Sequence, residues 1–253
     1  MKIGIIGFGN LGRALAAGLL KSGSAAGGNL FICDISPEAR EDAEKEPYNA
    51  HASDDAGFVA GKADVIFLTV KGYVFEELAP GIRKGGLDGK TVVSFMAGVQ
   101  FENIYRLIGD VTLVRAMPSL AIASCDGVIG YTAAPADVAD ILNKLGYAFE
   151  TEPGNIEKVM AFSSCGLGFT AYLIDAFASA GQAMGFPPET AARIASLTFK
   201  NAVDRGGFRD TVRAVATPGG ATEQGVKHMD EHDVYGIVSG AVQKAYDRMA
   251  GGG

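Results

Sequence analysis

The sequence predicts a two-part chain: an α/β part with a mostly parallel sheet over residues 1–152, followed by an all-α part over residues 153–253. Three observations predict it. Short apolar, branched runs alternate with segments of helical spacing through the first half, the pattern of a parallel sheet with helical crossovers. A glycine-spaced turn joins the first of these runs to the first helix. From Asn155 onward strand signals stop and only helical spacing remains.

Bulk composition narrows the function. A chain of 253 residues with 48% hydrophobic and 20% charged residues is that of a folded protein with one or two domains. The 22 Lys and Arg against 29 Asp and Glu give a net charge of −7, which opposes binding to nucleic acid or an acidic membrane surface. Cys33, Cys125 and Cys165 are far apart and lack metal-ligand spacing, and a core strand begins within the first residues. The expectation is a reduced, cytoplasmic protein without a signal peptide. No membrane span is expected, because Gly, Ser or charge breaks the apolar stretches before the roughly 20 residues a span needs. The terminal Gly251-Gly252-Gly253 is expected to fray.

The opening run, Lys2-Ile3-Gly4-Ile5-Ile6, meets Gly7-Phe8-Gly9-Asn10-Leu11-Gly12 and then a helix from Arg13 to Leu20. Gly7 permits the tight turn, Gly9 clears room for a pyrophosphate, and Gly12 lets the helix pack closely on the strand. Free amides of the first helical turn then face the phosphates. Together with the strand Asn29 to Cys33 this is a Rossmann-type dinucleotide unit. Asp34, ending that strand, suits the adenosine ribose hydroxyls and repels a 2′-phosphate, which leans toward NADH over NADPH. Ser36 either caps a helix with Pro37 at its first position and Glu38 in its first turn, or touches a phosphate.

Asp64 to Val70 reads as a strand buried on both faces, closing on Lys71-Gly72, and Lys71 is either a cofactor contact or a solvated loop lysine. A helix over 73–83 leads to the strand Thr91 to Phe95, whose end, Met96-Ala97-Gly98, is small enough for a flat ring to approach. A helix over 100–107, a strand over 112–117 ending at Pro118-Ser119, a strand over 127–132, a helix over 135–145 and a strand over 147–151 complete this part.

Helices are expected at about 155–185, 188–205, 208–216, 218–230 and 232–249, with breaks at Pro187-Pro188 and Gly206-Gly207. Small residues from Ser163 to Gly181 allow close helix crossings, and the shortage of bulk implies packing against a second copy. In Thr217-Pro218-Gly219-Gly220-Ala221-Thr222, Thr217 suits the N-cap and Pro218 the first helical position. The amides of Gly219, Gly220, Ala221 and Thr222 would then be uncommitted, a candidate cradle for a carboxylate. His228 and His232 lack both an H-E-x-x-H arrangement and an evident third ligand, so they read as a solvated helix end rather than a metal site. There is no Ser-His-Asp set.

These features together resemble the pyrroline-5-carboxylate reductase family over nearly the whole chain. The likeness is carried by Ile6 to Gly12, Val70-Lys71, Ser94 to Gly98, Val114-Arg115-Ala116-Met117-Pro118 and, most specifically, Thr217 to Thr222. The resemblance implies a homodimer with interlocked C-terminal helices, in some cases assembled into rings, that passes a hydride to the C=N carbon of Δ1-pyrroline-5-carboxylate to give L-proline. It implies that Thr217, Gly219, Gly220, Ala221 and Thr222 hold the substrate, with the Thr222 hydroxyl, the catalytic group, on the ring nitrogen. It places NADH or NADPH along Gly7, Phe8, Gly9, Asn10, Leu11, Gly12, Val70, Lys71, Ala97, Gly98, Met117 and Pro118, beside the Asp34 and Ser36 read above from the residues themselves. The chain departs from the pattern at Ser164-Cys165-Gly166-Leu167-Gly168-Phe169, where the family has Gly-Ser-Gly-Pro-Ala-Tyr, and at Gly72 and Ser119. A sister reductase acting on another imine or a keto acid, or a non-catalytic binding protein, are the alternatives. A β-hydroxyacid dehydrogenase needs a lysine for which only Lys158 is available.

Overall fold

A computed structural model describes residues 1–250, so the terminal glycine triplet lies outside the described residues. The first part runs β1 (Ile3–Ile6), α1 (Asn10–Lys21), β2 (Leu30–Cys33), α2 (Pro37–Glu44), β3 (His51–Ser53), α3 (Ala56–Lys62), β4 (Val65–Leu68), α4 (Gly72–Lys84) and β5 (Thr91–Ser94). It continues through α5 (Phe101–Ile108), β6 (Thr112–Pro118), β7 (Gly127–Tyr131), α6 (Ala136–Lys144) and β8 (Gly146–Glu150). The strands form one sheet in the order β3-β2-β1-β4-β5-β6-β7-β8. Every neighbouring pair is parallel except β6 and β7.

Strand alternation divides the core into two layers. Ile3, Ile5, Leu30, Ile32, Val65, Phe67 and Val93 face a layer completed by α1, α2 and α6, through residues such as Leu15, Leu19, Ala43 and Ile141. Ile6, Phe31, Ile66, Leu68 and Val92 face the opposite layer, completed by α3, α4 and α5 through Val59, Phe75, Ile82 and Ile104. Burial on both faces explains why β1, β2 and β4 are apolar without a break.

The sequence reading passes over residues 51–62, where the structure has β3 and α3. β3 is a partly exposed three-residue edge strand and carries little apolar signal. α3 contains Gly57 and Gly61, poor helix formers, yet it buries Ala56, Val59 and Ala60, and Asp55 caps it by accepting the Gly57 amide at 2.8 Å. Tertiary burial overrides propensity here.

The second part also departs from expectation. The single long helix expected over 155–185 is α7 (Ile156–Val159), a π-helical turn at Met160–Ser164, and α8 (Cys165–Ala183). α9 (Pro188–Arg205), α10 (Phe208–Val215), α11 (Ala221–Glu231) and α12 (Val234–Ala250) follow. The compact units divide at Ser164/Cys165, later than the last strand, and the end of α12 from Tyr246 groups with the first unit. α7 and the π turn stay with the sheet because Ser164 Oγ donates to the Pro118 carbonyl at 2.9 Å and Glu157 pairs with Arg115 of β6.

In the second unit α8 and α9 cross closely on small residues. A Cβ added at Gly181 would sit 3.2 Å from the Ala191 Cβ, and Ala178, Ala191 and Ala195 are buried. Large apolar side chains face outward instead, among them Tyr172, Met184, Val203, Phe208, Tyr235 and Ile237. The expectation that every apolar stretch falls short of membrane length is corrected: the helical stretch Pro153–Ala183 reaches a spanning length at a mean hydropathy of 1.3, with 6% of its most apolar window buried. Ser, Gly and Thr do not break a helix when neighbours on both sides sustain it.

Candidate active site

β1 and β4 are neighbours while β2 lies on the far side of β1, so the strand order reverses between them, and open α/β sheets bind ligands at such a point. Gly7 to Gly12 sit there. A Cβ on Gly12 would come within 2.0 Å of the Gly7 carbonyl oxygen, so only glycine lets α1 start this close to β1. Gly9 is the N-cap of α1 in extended conformation, φ −75° and ψ −160°; among the described residues no side chain caps the helix and nothing lies within 4 Å of a Cβ placed there. Asn10, Leu11 and Gly12 occupy the first helical turn, where amides have no intrahelical acceptor. Open space outside Gly9, at the positive end of a twelve-residue helix, fits a dinucleotide pyrophosphate.

Two side chains hold this turn. Thr69 Oγ1 donates to the Gly7 carbonyl at 2.6 Å, and Val70 packs against the Gly7 Cα. Asp34 accepts the Phe8 amide at 2.6 Å on Oδ2 and the Ser36 amide at 2.9 Å on Oδ1, so its carboxylate ties the loop after β2 to the glycine turn. The Phe8 ring is buried, with the Arg13 guanidinium 4.8 Å from its centroid. Ser36 is the cap of α2: its hydroxyl accepts the Ala39 amide at 3.1 Å and donates to Glu38 at 2.7 Å. That bond, before any other influence, holds the Glu38 carboxyl below the usual range. Arg40 donates to the carbonyls of Asp34 and Ile35 and so closes the same loop.

Farther along the sheet edge, Lys71, Gly72, Ala97 and Gly98 line one cleft of about 620 Å³, which Arg248 and Met249 at the end of α12 also line. Lys71 is the exposed N-cap residue of α4. Met117 and Pro118 end β6 and are buried, pairing with Gly130 and Ile129 of β7. Just before them Arg115 is fully buried in the sheet. Its Nη2 donates to Glu157 at 2.5 Å and its Nη1 to Gln100 at 3.2 Å, while its Nε has no partner among the described residues. Glu157, 6% exposed, was not a candidate from sequence. A signal was available: an arginine inside an apolar strand demands a buried carboxylate.

The second unit carries the Thr217 segment, and here the cap assignment is corrected. α11 starts at Ala221 with Gly220 as N-cap, not at Pro218 with Thr217 as cap. Thr217 to Gly220 is a type II turn instead. The Gly220 amide donates to the Thr217 carbonyl at 2.9 Å, Pro218 supplies the fixed φ, and Gly219 takes φ +75°, a value favourable only to glycine. The amides of Gly219 and Gly220 are therefore committed, and those of Ala221 and Thr222 remain at the helix start. The partner of the Gly219 amide is informative: it donates to Glu223 Oε2 at 2.9 Å. This bond, aided by Lys227, holds the Glu223 carboxyl below the usual range. Thr217 and Thr222 are exposed, and the Thr217 hydroxyl lies over Gly220.

Other reactive groups are quiet. Burial, then the neighbouring Asp34, Asp55 and Asp54, pushes the Cys33 thiol up to about 12, and burial also raises Cys165, so both stay protonated at neutral pH. Lys158 donates to the Asn155 side chain at 3.0 Å in an exposed position.

The chain is similar to known proteins along both of its parts. A family model described as pyrroline-5-carboxylate reductase dimerisation matches residues 153–251, and one described as NADP oxidoreductase coenzyme F420-dependent matches residues 2–98. The chain is 30% identical over 258 residues to the pyrroline-5-carboxylate reductase of Aquifex aeolicus (strain VF5), covering 96% of this chain and 94% of that one. It is 29% identical over 267 residues to the enzyme of the same name from Escherichia coli (strain K12), covering 98% and 96%. The fold matches that of the Plasmodium falciparum pyrroline carboxylate reductase solved with NADP bound, at a TM-score of 0.89 and 22% identity over 99% and 97% of the two chains.

Proposed function

Because the chain belongs to the pyrroline-5-carboxylate reductase family, we propose that it reduces Δ1-pyrroline-5-carboxylate to L-proline with a reduced nicotinamide dinucleotide. The observation that carries the substrate side is the carboxylate seated on the Gly219 amide. That amide, at a glycine-built turn leading into α11, is a donor placed for a carboxylate, and the half-buried Glu223 occupies it as a substrate carboxylate would. In the reaction the substrate carboxylate displaces Glu223 and takes up the free amides of Ala221 and Thr222, with the Thr217 hydroxyl beside it.

The dinucleotide binds along Gly7 to Gly12, with Asp34 at the ribose and Val70, Lys71, Ala97, Gly98, Met117 and Pro118 toward the nicotinamide, which supplies the hydride when bound. A protonated cyclic imine is already electrophilic, so the chain needs only to place it and to hold a proton at the ring nitrogen. Thr222 does this through its hydroxyl. Two anionic groups at the adenosine end, Asp34 and Glu38, favour NADH over NADPH. Residues 1–152 serve as the dinucleotide-binding domain and 153–253 as the substrate-binding and dimerisation domain of a cytoplasmic homodimer, itself able to assemble into rings. The outward apolar side chains of α8 to α12 support the dimer.

The test follows cofactor absorbance with Δ1-pyrroline-5-carboxylate as substrate. Turnover is expected, and Thr222→Ala should lower it with little loss of cofactor affinity. Cofactor binding, seen as a thermal shift, with no absorbance change on a panel of cyclic imines would overturn the reading and favour a binding protein.

A further inference from the structure

The last turn of α11 holds His228 and Glu231, and His232 is its C-cap, a spacing of i, i+3 and i+4 that brings the three together at one helix end. One ligand atom from each lies within 4.8 Å of the other two, and the imidazole centroids are 4.2 Å apart. Glu231 is the third ligand that the sequence does not make evident. We propose that these three side chains form a binding site for a divalent transition metal of the zinc, nickel or copper type.

The chemistry of each donor supports this. His232 Nδ1 lies 2.8 Å from the His228 carbonyl oxygen. A ring nitrogen in that position carries the proton and donates, which leaves the Nε2 lone pair free and fixes the ring. Metal-binding imidazoles are oriented in this way, by a carbonyl on the other nitrogen. Two imidazoles and one carboxylate suit borderline metals, whereas calcium and magnesium demand oxygen throughout. The negative end of the helix dipole adds to the attraction for a cation. All three ligands are exposed, so a metal has an open path of entry and keeps solvent in its remaining positions. His228 lies six residues beyond Thr222, about 9 Å along the helix axis, so the site does not depend on the reductase reading.

The experiment uses the full chain without a histidine tag. Zn²⁺ is titrated in competition with a chromogenic chelator, and Co²⁺ is added in parallel to read visible ligand-field absorption. One equivalent of Zn²⁺ per chain is expected. His228→Ala and His232→Ala should each weaken binding by at least the roughly 10–100-fold that loss of a second-shell partner costs. Asp230→Asn, on the opposite face of α11, should leave affinity unchanged, and unaltered melting temperatures will show that the variants fold. Zn²⁺ that stays with the chelator overturns the proposal. So does binding that survives the double substitution His228→Ala/His232→Ala, which would assign the metal elsewhere, for example to the thiols.

Discussion

Two glycines three residues apart should respond in opposite ways to the same added methyl group. At Gly9 the backbone is extended and the Cβ position is open, so Gly9→Ala costs no packing; removing unfolded-state freedom should stabilise the chain by about 0.4–1 kcal/mol. The methyl would stand where the pyrophosphate approaches. At Gly12 the Cβ would be 2.0 Å from the Gly7 carbonyl oxygen, and neither α1 nor β1 can retreat without disturbing a buried layer. Overpacking of that kind costs about 1–3 kcal/mol, or a fall in Tm of about 2–12 °C for a chain of this size. The assay is thermal denaturation with and without cofactor. At a hundred times its Kd a cofactor adds about 2.7 kcal/mol to the wild type. Gly9→Ala should keep or raise the unliganded Tm and lose most of the ligand-induced shift. A Gly9→Ala chain that retains the full shift would refute the placement of the pyrophosphate.

Replacing Glu157 by alanine leaves Arg115 charged and buried; breaking such a pair costs about 3–5 kcal/mol, so Tm should fall by about 6–20 °C, and an unchanged Tm would show the network to be dispensable. Asp34→Ser should shift preference toward NADPH by about fivefold, since removing one like charge near 4 Å from a phosphate in water is worth about 1 kcal/mol; an unchanged ratio of affinities removes the charge argument. The substitution also frees the Phe8 and Ser36 amides, so the ratio and not either affinity is the readout. Glu223 has a depressed folded pKa, so the stability it contributes is present above the ordinary carboxylate range and is lost as pH falls through the lower folded value. Glu223→Gln should flatten that acid limb and, by weakening the competitor for the Gly219 amide, lower the KM for the imino acid at neutral pH; an unaltered KM would mean that the two carboxylates do not compete.

Much of the first unit was legible because a doubly covered parallel sheet leaves an apolar record. β1, β2, β4, β5 and β6 fall within a residue or two of the runs that announce them. β3 and α3 were not, because an exposed edge strand and a glycine-bearing helix owe their form to what packs on them. The Gly7 to Gly12 turn was read correctly as strand, turn and helix. The Thr217 segment was misread locally, since Thr-Pro serves equally to start a helix or a type II turn, and Gly219 with φ +75° decides for the turn. Arg115 inside an apolar strand called for a carboxylate without naming Glu157, and the partners Thr69 and Glu223 were invisible for a common reason. Their roles depend on acceptors or donors reached through the fold or through a turn whose geometry had to be known first.

The asymmetry between the two units bears on how the protein is made. The two apolar layers around the sheet draw their side chains from the first 148 residues, so those side chains are all synthesised before the helices beyond Cys165. Those helices carry large apolar side chains outward, a surface open to association as soon as it is made. Translating many copies close together would therefore favour a productive outcome over capture by chaperones.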